Sequence, residues 1–381
     1  MLNELLARAA AAGASDLHLR ADARPALRVR GELTPIEDAA PLSSAAIRDL
    51  AVGMMTAAQR ARFDADLELD YAYSVPGLGR FRCNAFQQRG TVGLAIRVVP
   101  GNIRSVDALE LPTVISDIAS EMRGLVLVTG TTGSGKSTTL ASMIATINAT
   151  RRAHILTVED PIEFVHSDLQ SVISQREVGV DTESFAHALR SALRQDPDVI
   201  LVGEMRDYET IETALVAAET GHLVFSTLHT LDAVETVSRI ISVFPPHHQS
   251  QVRLQLAGVL RAVISQRLLA RADGMGRVPA VEVMRVTPCI RECIIDPART
   301  TEIRDAIAGG TSQYGMQTFD QSIYGLLKRE LVTEAEALRW VTNADEFRLR
   351  LQGVSMTRDA NRDTMASQVL GGQPDITRFG K

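Results

Sequence analysis

Residues 130–137 read Gly-Thr-Thr-Gly-Ser-Gly-Lys-Ser, a full match to the pattern G-x-x-x-x-G-K-[ST]. Glycines let a backbone turn tightly enough to aim successive N–H groups at phosphate oxygens. A helix that starts there adds the positive end of its dipole. The spacing predicts that Thr131, Thr132, Gly133, Ser134, Gly135, Lys136, Ser137 and Thr138 cradle the phosphates of ATP. Lys136 is expected to reach the β- and γ-phosphates and the Ser137 hydroxyl to ligate Mg²⁺. The chain has 40 Lys and Arg, of which only Lys136, Lys328 and Lys381 are lysines. A composition this biased toward arginine still keeps a compact point charge where a phosphate cradle has no room for a planar fork.

Three further segments carry groups suited to hydrolysis. Glu159-Asp160-Pro161-Ile162-Glu163 gathers three carboxylates just past an apolar run, where they can hold Mg²⁺ or orient a water. Val199-Ile200-Leu201-Val202-Gly203-Glu204 has the apolar run of a Walker B strand, but Gly203 stands where an Asp is usual. One carboxylate does not easily ligate metal and polarise water together, so the work is expected to be split between Glu204 and the first cluster. Ser226-Thr227-Leu228-His229-Thr230 ends another run, where His229 can contact the γ-phosphate with Thr227 beside it. Arg206, Arg80, Arg82 and Arg97 are candidates to stabilise charge on a transferred phosphoryl group. The plain alternatives are a solvated acidic turn, a capping Glu and a structural His; the shared position at strand ends weighs against them.

The elements that must position these groups are legible in outline. The apolar run Leu125–Val128 before the loop and the stretch Thr138–Ile144 after it give the strand–loop–helix context of a phosphate-binding loop. Strands are expected at 153–158, 199–202 and 223–227, alternating with helices at 182–195 and 208–220. That alternation implies a mostly parallel sheet, with ligands at the carboxyl ends of its strands. Ahead of it, residues 1–98 read as a smaller α+β domain. Period-two strands fall at 15–20, 26–30, 67–75, 80–87 and 91–99, with two helical stretches near 43–64. Phe81, Cys83 and Ala85 face one side of their strand and Arg80, Arg82 and Asn84 the other. Residues 99–112 read as a linker, 113–285 as the nucleotide-binding core, 286–355 as a helical region and 356–381 as a disordered tail. From about 246 onward the chain reads as mainly helical, with one hairpin-like break at Asp273-Gly274-Met275-Gly276.

At 381 residues two domains are expected, and the net charge of −6 argues against non-specific binding of nucleic acid. Three cysteines make no disulfide framework and fit a reducing cytoplasm. Cys289 and Cys293 are expected to be buried structural thiols, since two ligands make a poor zinc site. Glu4 and Arg8 interrupt the N-terminus where a signal peptide needs an apolar core, so an amphipathic helix is expected there. No run of 18 uncharged apolar residues occurs, so no membrane span is expected and any membrane association goes through partners.

Taken together, Thr129–Ser137, Glu159–Phe164, Gln175–Val178, Leu189–Arg194, Gly203–Asp207, Ala218–His222 and Thr227–Thr230 resemble the secretion ATPase superfamily. Gly315–Gln321 adds a likeness to the type IV pilus retraction ATPases within it, and the similarity covers roughly residues 1–352. The resemblance implies a RecA-like P-loop ATPase core, a PAS-like N-terminal domain and a helical C-terminal region. It implies a homohexamer that binds ATP and Mg²⁺ between the two domains of a subunit, near a neighbour. Glu163 or Glu159 would orient the attacking water, Glu204 would contact the Mg²⁺ side and His229 would couple nucleotide to domain movement. Arg82 and Arg97 would approach the γ-phosphate. An inner-membrane platform protein and a paralogous pilus ATPase are the implied partners, and the inner face of the membrane at the pilus base the implied location. One helix departs from the family: Cys289-Ile290-Arg291-Glu292-Cys293-Ile294-Ile295-Asp296 keeps Ile290, Arg291 and Ile294 of a motif tied to retraction and changes the rest. A retraction motor, an accessory retraction ATPase and a non-hydrolysing regulatory ring subunit therefore all stay open.

Overall fold

The computed structural model describes residues 1–352. The expected tail at 356–381, and the end of the helical region at 353–355, lie outside the described residues. Contacts divide the chain into two compact units that interleave in sequence. Met1–Ser105 and Ala141–Gly203 form one; Val106–Leu140 and the chain from Glu204 onward form the other.

The N-terminal part of the first unit runs α1 (Leu2–Ala11), β1 (Asp16–Leu19), β2 (Ala26–Val29), β3 (Glu32–Pro35), α2 (Ser44–Gly53), α3 (Ala57–Asp66), β4 (Glu68–Val75), β5 (Gly79–Gln88) and β6 (Thr91–Val98). The six strands form one antiparallel sheet in the order β3-β2-β1-β6-β5-β4. The alternation read from the sequence is its cause: Phe81, Cys83 and Ala85 are buried with Leu94, Ile96, Leu17 and Phe63 in one apolar core. Burying the Leu, Ile and Phe side chains among them stabilises by about 1.5–3 kcal/mol each. Helix α3 opens on a capping box, in which Thr56 and Gln59 satisfy each other's backbone N–H groups. Strand β3 was not expected, because all four of its residues are exposed and no apolar alternation marks it.

The chain continues through α4 (Val114–Ala119), β7 (Gly124–Thr129), α5 (Lys136–Thr150), β8 (His154–Glu159), β9 (Val172–Glu177), α6 (Phe185–Ala192), β10 (Val199–Val202), α7 (Tyr208–Glu219), β11 (Leu223–Leu228), α8 (Ala233–Ser242), α9 (Gln249–Val259), β12 (Leu260–Ala270) and β13 (Arg277–Arg285). In the first unit, β10, β8 and β9 lie side by side and parallel. In the second, β13, β12, β7 and β11 lie in that order, parallel except for the β12–β13 hairpin. Side-chain oxygens of Ser184, Asp207 and Asp232 cap α6, α7 and α8, each cap adding about 1 kcal/mol. Six helices follow, α10 (Pro288–Ile295), α11 (Ile303–Gly309), α12 (Thr311–Tyr314), α13 (Phe319–Lys328), α14 (Glu334–Trp340) and α15 (Ala344–Leu351). The last three pack Phe319, Ile323, Leu326, Ala337 and Phe347 against Leu269, Val278 and Ala280 of the hairpin.

Three expectations need correction or completion. The segment after 246 is not mainly helical until residue 288: β12 and β13 form a long antiparallel hairpin around the turn at 273–276. Both faces of these strands are largely buried, so their apolar residues do not alternate and the run mimics a buried helix. Strand β9 was not expected either, being a half-exposed edge strand of mixed polarity. Of the two paired cysteines, Cys293 is buried as expected but Cys289 is exposed. Among the described residues no helix is long and apolar enough to cross a membrane.

Candidate active site

The predicted residues fall into two groups, one in each unit. In the second unit β7 is buried along its whole length and delivers the chain to the loop at Gly130. Gly130 has φ +138°, and a Cβ there would lie 2.5 Å from the Gln266 carbonyl oxygen and 2.6 Å from Ser134 Oγ. The loop therefore presses against β12. Lys136 opens α5, and its Nζ donates to the Gly130 and Thr131 carbonyls at 2.8 and 3.0 Å. Thr131, Thr132 and Gly133 are exposed, while Gly135, Ser137 and Thr138 are half-buried. Beneath the loop, Thr129 Oγ1 donates to Ser265 Oγ at 3.0 Å, and Gln266 Nε2 donates to Thr139 Oγ1 at 2.9 Å. N–H groups at the first turn of a helix, aimed out of a glycine-rich loop, form a phosphate cradle.

The same unit brings Glu204, Arg206 and His229 together. Arg206 Nε donates to Glu204 Oε1 at 2.8 Å, and His229 Nε2 lies 3.5 Å from Glu204 Oε2. The Met205 N–H donates to the Thr227 carbonyl at 3.2 Å, which holds the two segments in register. The Walker B departure has a steric reason within the first unit. A Cβ on Gly203 would come 3.2 Å from the Val158 carbonyl and 3.4 Å from the Phe185 ring, closer than side chains usually sit. Among the described residues no three His, Cys, Asp or Glu side chains gather as a metal cage. Mg²⁺ in nucleotide sites takes most of its ligands from water and phosphate, so one hydroxyl and one carboxylate are a fitting protein share.

In the first unit the acidic loop follows β8. Glu159 ends that strand, half-buried. Its Oε1 accepts from Thr157 Oγ1 at 2.8 Å and from Gln175 Nε2 at 3.1 Å, and its Oε2 from the Glu163 N–H at 3.4 Å. Burial pushes this carboxyl above the usual range, and the three hydrogen bonds pull it part of the way back. Glu163 is exposed. Arg82 and Arg97 stand directly opposite each other on β5 and β6, and Arg97 Nε also donates to Asp16 Oδ1 at 2.9 Å. Arg80, on the same face of β5, instead reaches Glu177 at 2.8 Å.

A family model described as Type II/IV secretion system protein matches residues 1–361. The chain belongs to that family. Its relatives include the type IV pilus retraction ATPase PilT of Pseudomonas aeruginosa, 47% identical over 88% of this chain and 96% of that protein. The type IV pilus ATPase PilU of the same organism is 39% identical over 96% of this chain and 94% of that protein. Among solved structures, a crystal structure of the pilus retraction motor PilT with bound ADP has a TM-score of 0.82 at 45% identity. It covers 90% of this chain and 97% of that chain. The fold is accordingly that of the secretion ATPases, and the chain is an ATP hydrolase.

Within this secretion-family architecture four polar residues, Gln175 half-buried and the other three buried, are not marked by the chemistry of the sequence. Ser265 and Gln266 floor the phosphate loop, and Gln175 and Glu177 line the acidic loop. Gln175 and Glu177 did lie inside a segment carrying the family resemblance, but without a role. Their partners are distant in sequence, so no local spacing marks them.

Proposed function

We propose that this chain is an ATP-hydrolysing motor subunit that drives type IV pilus retraction as a ring-shaped homohexamer. What carries the proposal is the phosphate loop with Lys136 at the start of α5, in a chain similar to PilT across 88% of its length. In this proposal Thr131 to Thr138 receive the phosphates of ATP, and Lys136 exchanges its two loop carbonyls for phosphate oxygens. Ser137 and Glu204 would hold Mg²⁺, which would supply positive charge against the phosphates. Glu163 orients the attacking water. It is the exposed carboxylate of the acidic loop, whereas both oxygens of Glu159 are already occupied as acceptors. Glu159 thus serves as the anchor of the loop, a division of labour that the sequence left open. His229, beside Glu204, couples the nucleotide to movement of the protein. Arg82 and Arg97 supply positive charge for the transferred phosphoryl group. The subunit works at the inner face of the membrane against a platform protein, alongside a PilU-like paralogue.

The first test is turnover by the purified full-length protein. Lys136→Ala should reduce ATP hydrolysis to background, and wild-type turnover in that variant would overturn the assignment. The second is a host strain lacking the gene, scored for surface motility with pili counted by microscopy. Many pili and no motility is the result expected of a retraction motor. An accessory ATPase would leave pili and motility near normal, and an extension motor would leave no pili. The accessory outcome has one specific motive, the altered helix α10 with Cys289, Glu292 and Cys293.

A further inference from the structure

We propose that Gln175 and Glu177 of strand β9 are positioning residues that hold the acidic loop in its working shape, with Arg80 fixing Glu177 in turn. This rests on the assignment of Glu163 and Glu159 made above.

The register of β8 on β9 sets Thr157 beside Gln175 and Glu159 beside Glu177. Residues two apart on a strand share a face, so all four side chains of this quartet can meet on one side of the sheet. Gln175 uses both ends of its amide. Its Nε2 donates to Glu159 Oε1 at 3.1 Å and to the Phe164 carbonyl at 2.9 Å, and its Oε1 accepts from the His166 N–H at 2.9 Å. Glu177 Oε2 accepts from the Ile162 N–H at 3.1 Å and from Arg80 Nη2 at 2.8 Å. The acidic loop is therefore fastened at 159, 162, 164 and 166 by two side chains of one neighbouring strand. Glu163 sits between two fastened residues with its own side chain exposed. That is the arrangement needed to present one carboxylate at a fixed place without burying it.

The Arg80–Glu177 pair is itself well enclosed, with side chains 20% and 6% exposed. An enclosed pair is weak evidence for stability, because the cost of desolvating both charges offsets much of their attraction. A geometric role explains its placement better: the bond from Arg80 keeps Glu177 oriented toward the Ile162 N–H. Neither Gln175 nor Glu177 is placed to act on substrate directly, so their effect is on where Glu163 stands.

The experiment uses the full-length protein and follows kcat, KM for MgATP, affinity for a fluorescent ADP analogue, and Tm. Gln175→Met keeps the length of the side chain and removes all three hydrogen bonds. It should lower kcat about tenfold or more, since a small misplacement of a catalytic group is costly, with KM and ADP affinity nearly unchanged. Glu177→Gln keeps an acceptor for the Ile162 N–H and should retain more turnover than Glu177→Leu, which does not. If the Glu177 variants fail to fold, Gln175→Met with Gln175→Glu decides, because Gln175→Glu keeps only the acceptor for His166 and should also be slow. Wild-type kcat in Gln175→Met overturns the proposal. So does a parallel fall in kcat, ADP affinity and Tm, which is the mark of a merely structural residue. Glu163→Gln and Glu159→Gln serve as controls. If both turn over at the wild-type rate, the water-orienting assignment fails and the proposal with it. If they are slow and Gln175→Met is not, the proposal alone fails.

Discussion

Two alanine substitutions in the phosphate loop should behave very differently, although both replace a glycine of positive φ. At Gly130 the new Cβ would stand 2.5 Å from the Gln266 carbonyl oxygen, where real Cβ contacts rarely fall below 3.0 Å. The obstacle is backbone of β12, which cannot rotate aside, so the loop and the strand must part by about half an ångström. Backbone strain of about 1–3 kcal/mol at such a φ adds to about 1–3 kcal/mol for overpacking. The strain is relieved by leaving the phosphate-binding shape, so it appears as lost affinity. At 1.4 kcal/mol per factor of ten, Gly130→Ala should weaken nucleotide binding by roughly 30-fold or more. Gly133 has φ +78°, and a Cβ there would meet nothing within 4 Å. Gly133→Ala therefore carries only the left-handed penalty, about 1–2 kcal/mol, and should weaken binding by roughly 5- to 30-fold. Titration of both variants with a fluorescent ADP analogue, with Tm recorded alongside, compares them directly. Equal losses, or the larger loss at Gly133, would refute the claim that contact with β12 shapes the loop.

Two further outcomes follow from buried groups. Burial pushes the Glu282 carboxyl up to about 7, against the pull of its hydrogen bond from the Ala233 N–H and of Arg304 and Arg267. The folded state thus keeps a proton that the unfolded chain loses near pH 4.3, and stability falls as pH rises from there to about 7. Glu282→Gln removes this titration and can still accept from Ala233, so its gain over the wild type should be larger at pH 8 than at pH 5 by on the order of 3 kcal/mol; chemical denaturation at the two pH values giving equal gains would contradict this. Burial also pushes the Cys83 thiol up to about 12, while Cys289 is exposed and Cys293 buried. A thiol-specific reagent should find one fast-reacting group in the folded protein and three after unfolding, and three fast groups in the folded protein would contradict the packing of the N-terminal sheet.

How much was legible in the sequence depended on whether one stretch of chain contained the whole signal. The phosphate loop, the strand of Phe81, Cys83 and Ala85, and the helices capped by Ser184 and Asp207 carry their instructions within a few residues, and each was found. The Glu204 segment and the His229 segment were found as separate strand ends. Their meeting through Arg206, Glu204 and His229 is a property of the folded second unit and has no local mark. Strands β12 and β13 were missed because burial on both faces erases the alternation that would distinguish them from a helix. Strand β3 was missed for the opposite reason, having no buried face. The Gln175 amide illustrates a third kind of silence. A neutral polar residue on an edge strand is ordinary in sequence, and its three bonds to the acidic loop exist only once β9 lies beside β8.

The hairpin that supports the phosphate loop comes late in the chain. Thr129 and Ser265 are bonded across 136 residues, and the loop itself rests on the carbonyl of Gln266. A ribosome that has made the whole glycine-rich motif must still add about as many residues again before the floor beneath it exists. Parallel pairing over such a separation is slow, because a long loop must close before any contact rewards it. A nascent or truncated chain ending before β12 would carry an intact nucleotide motif with no wall behind it. On the proposed function, the capacity to hold nucleotide would thus be tied to near-completion of the core.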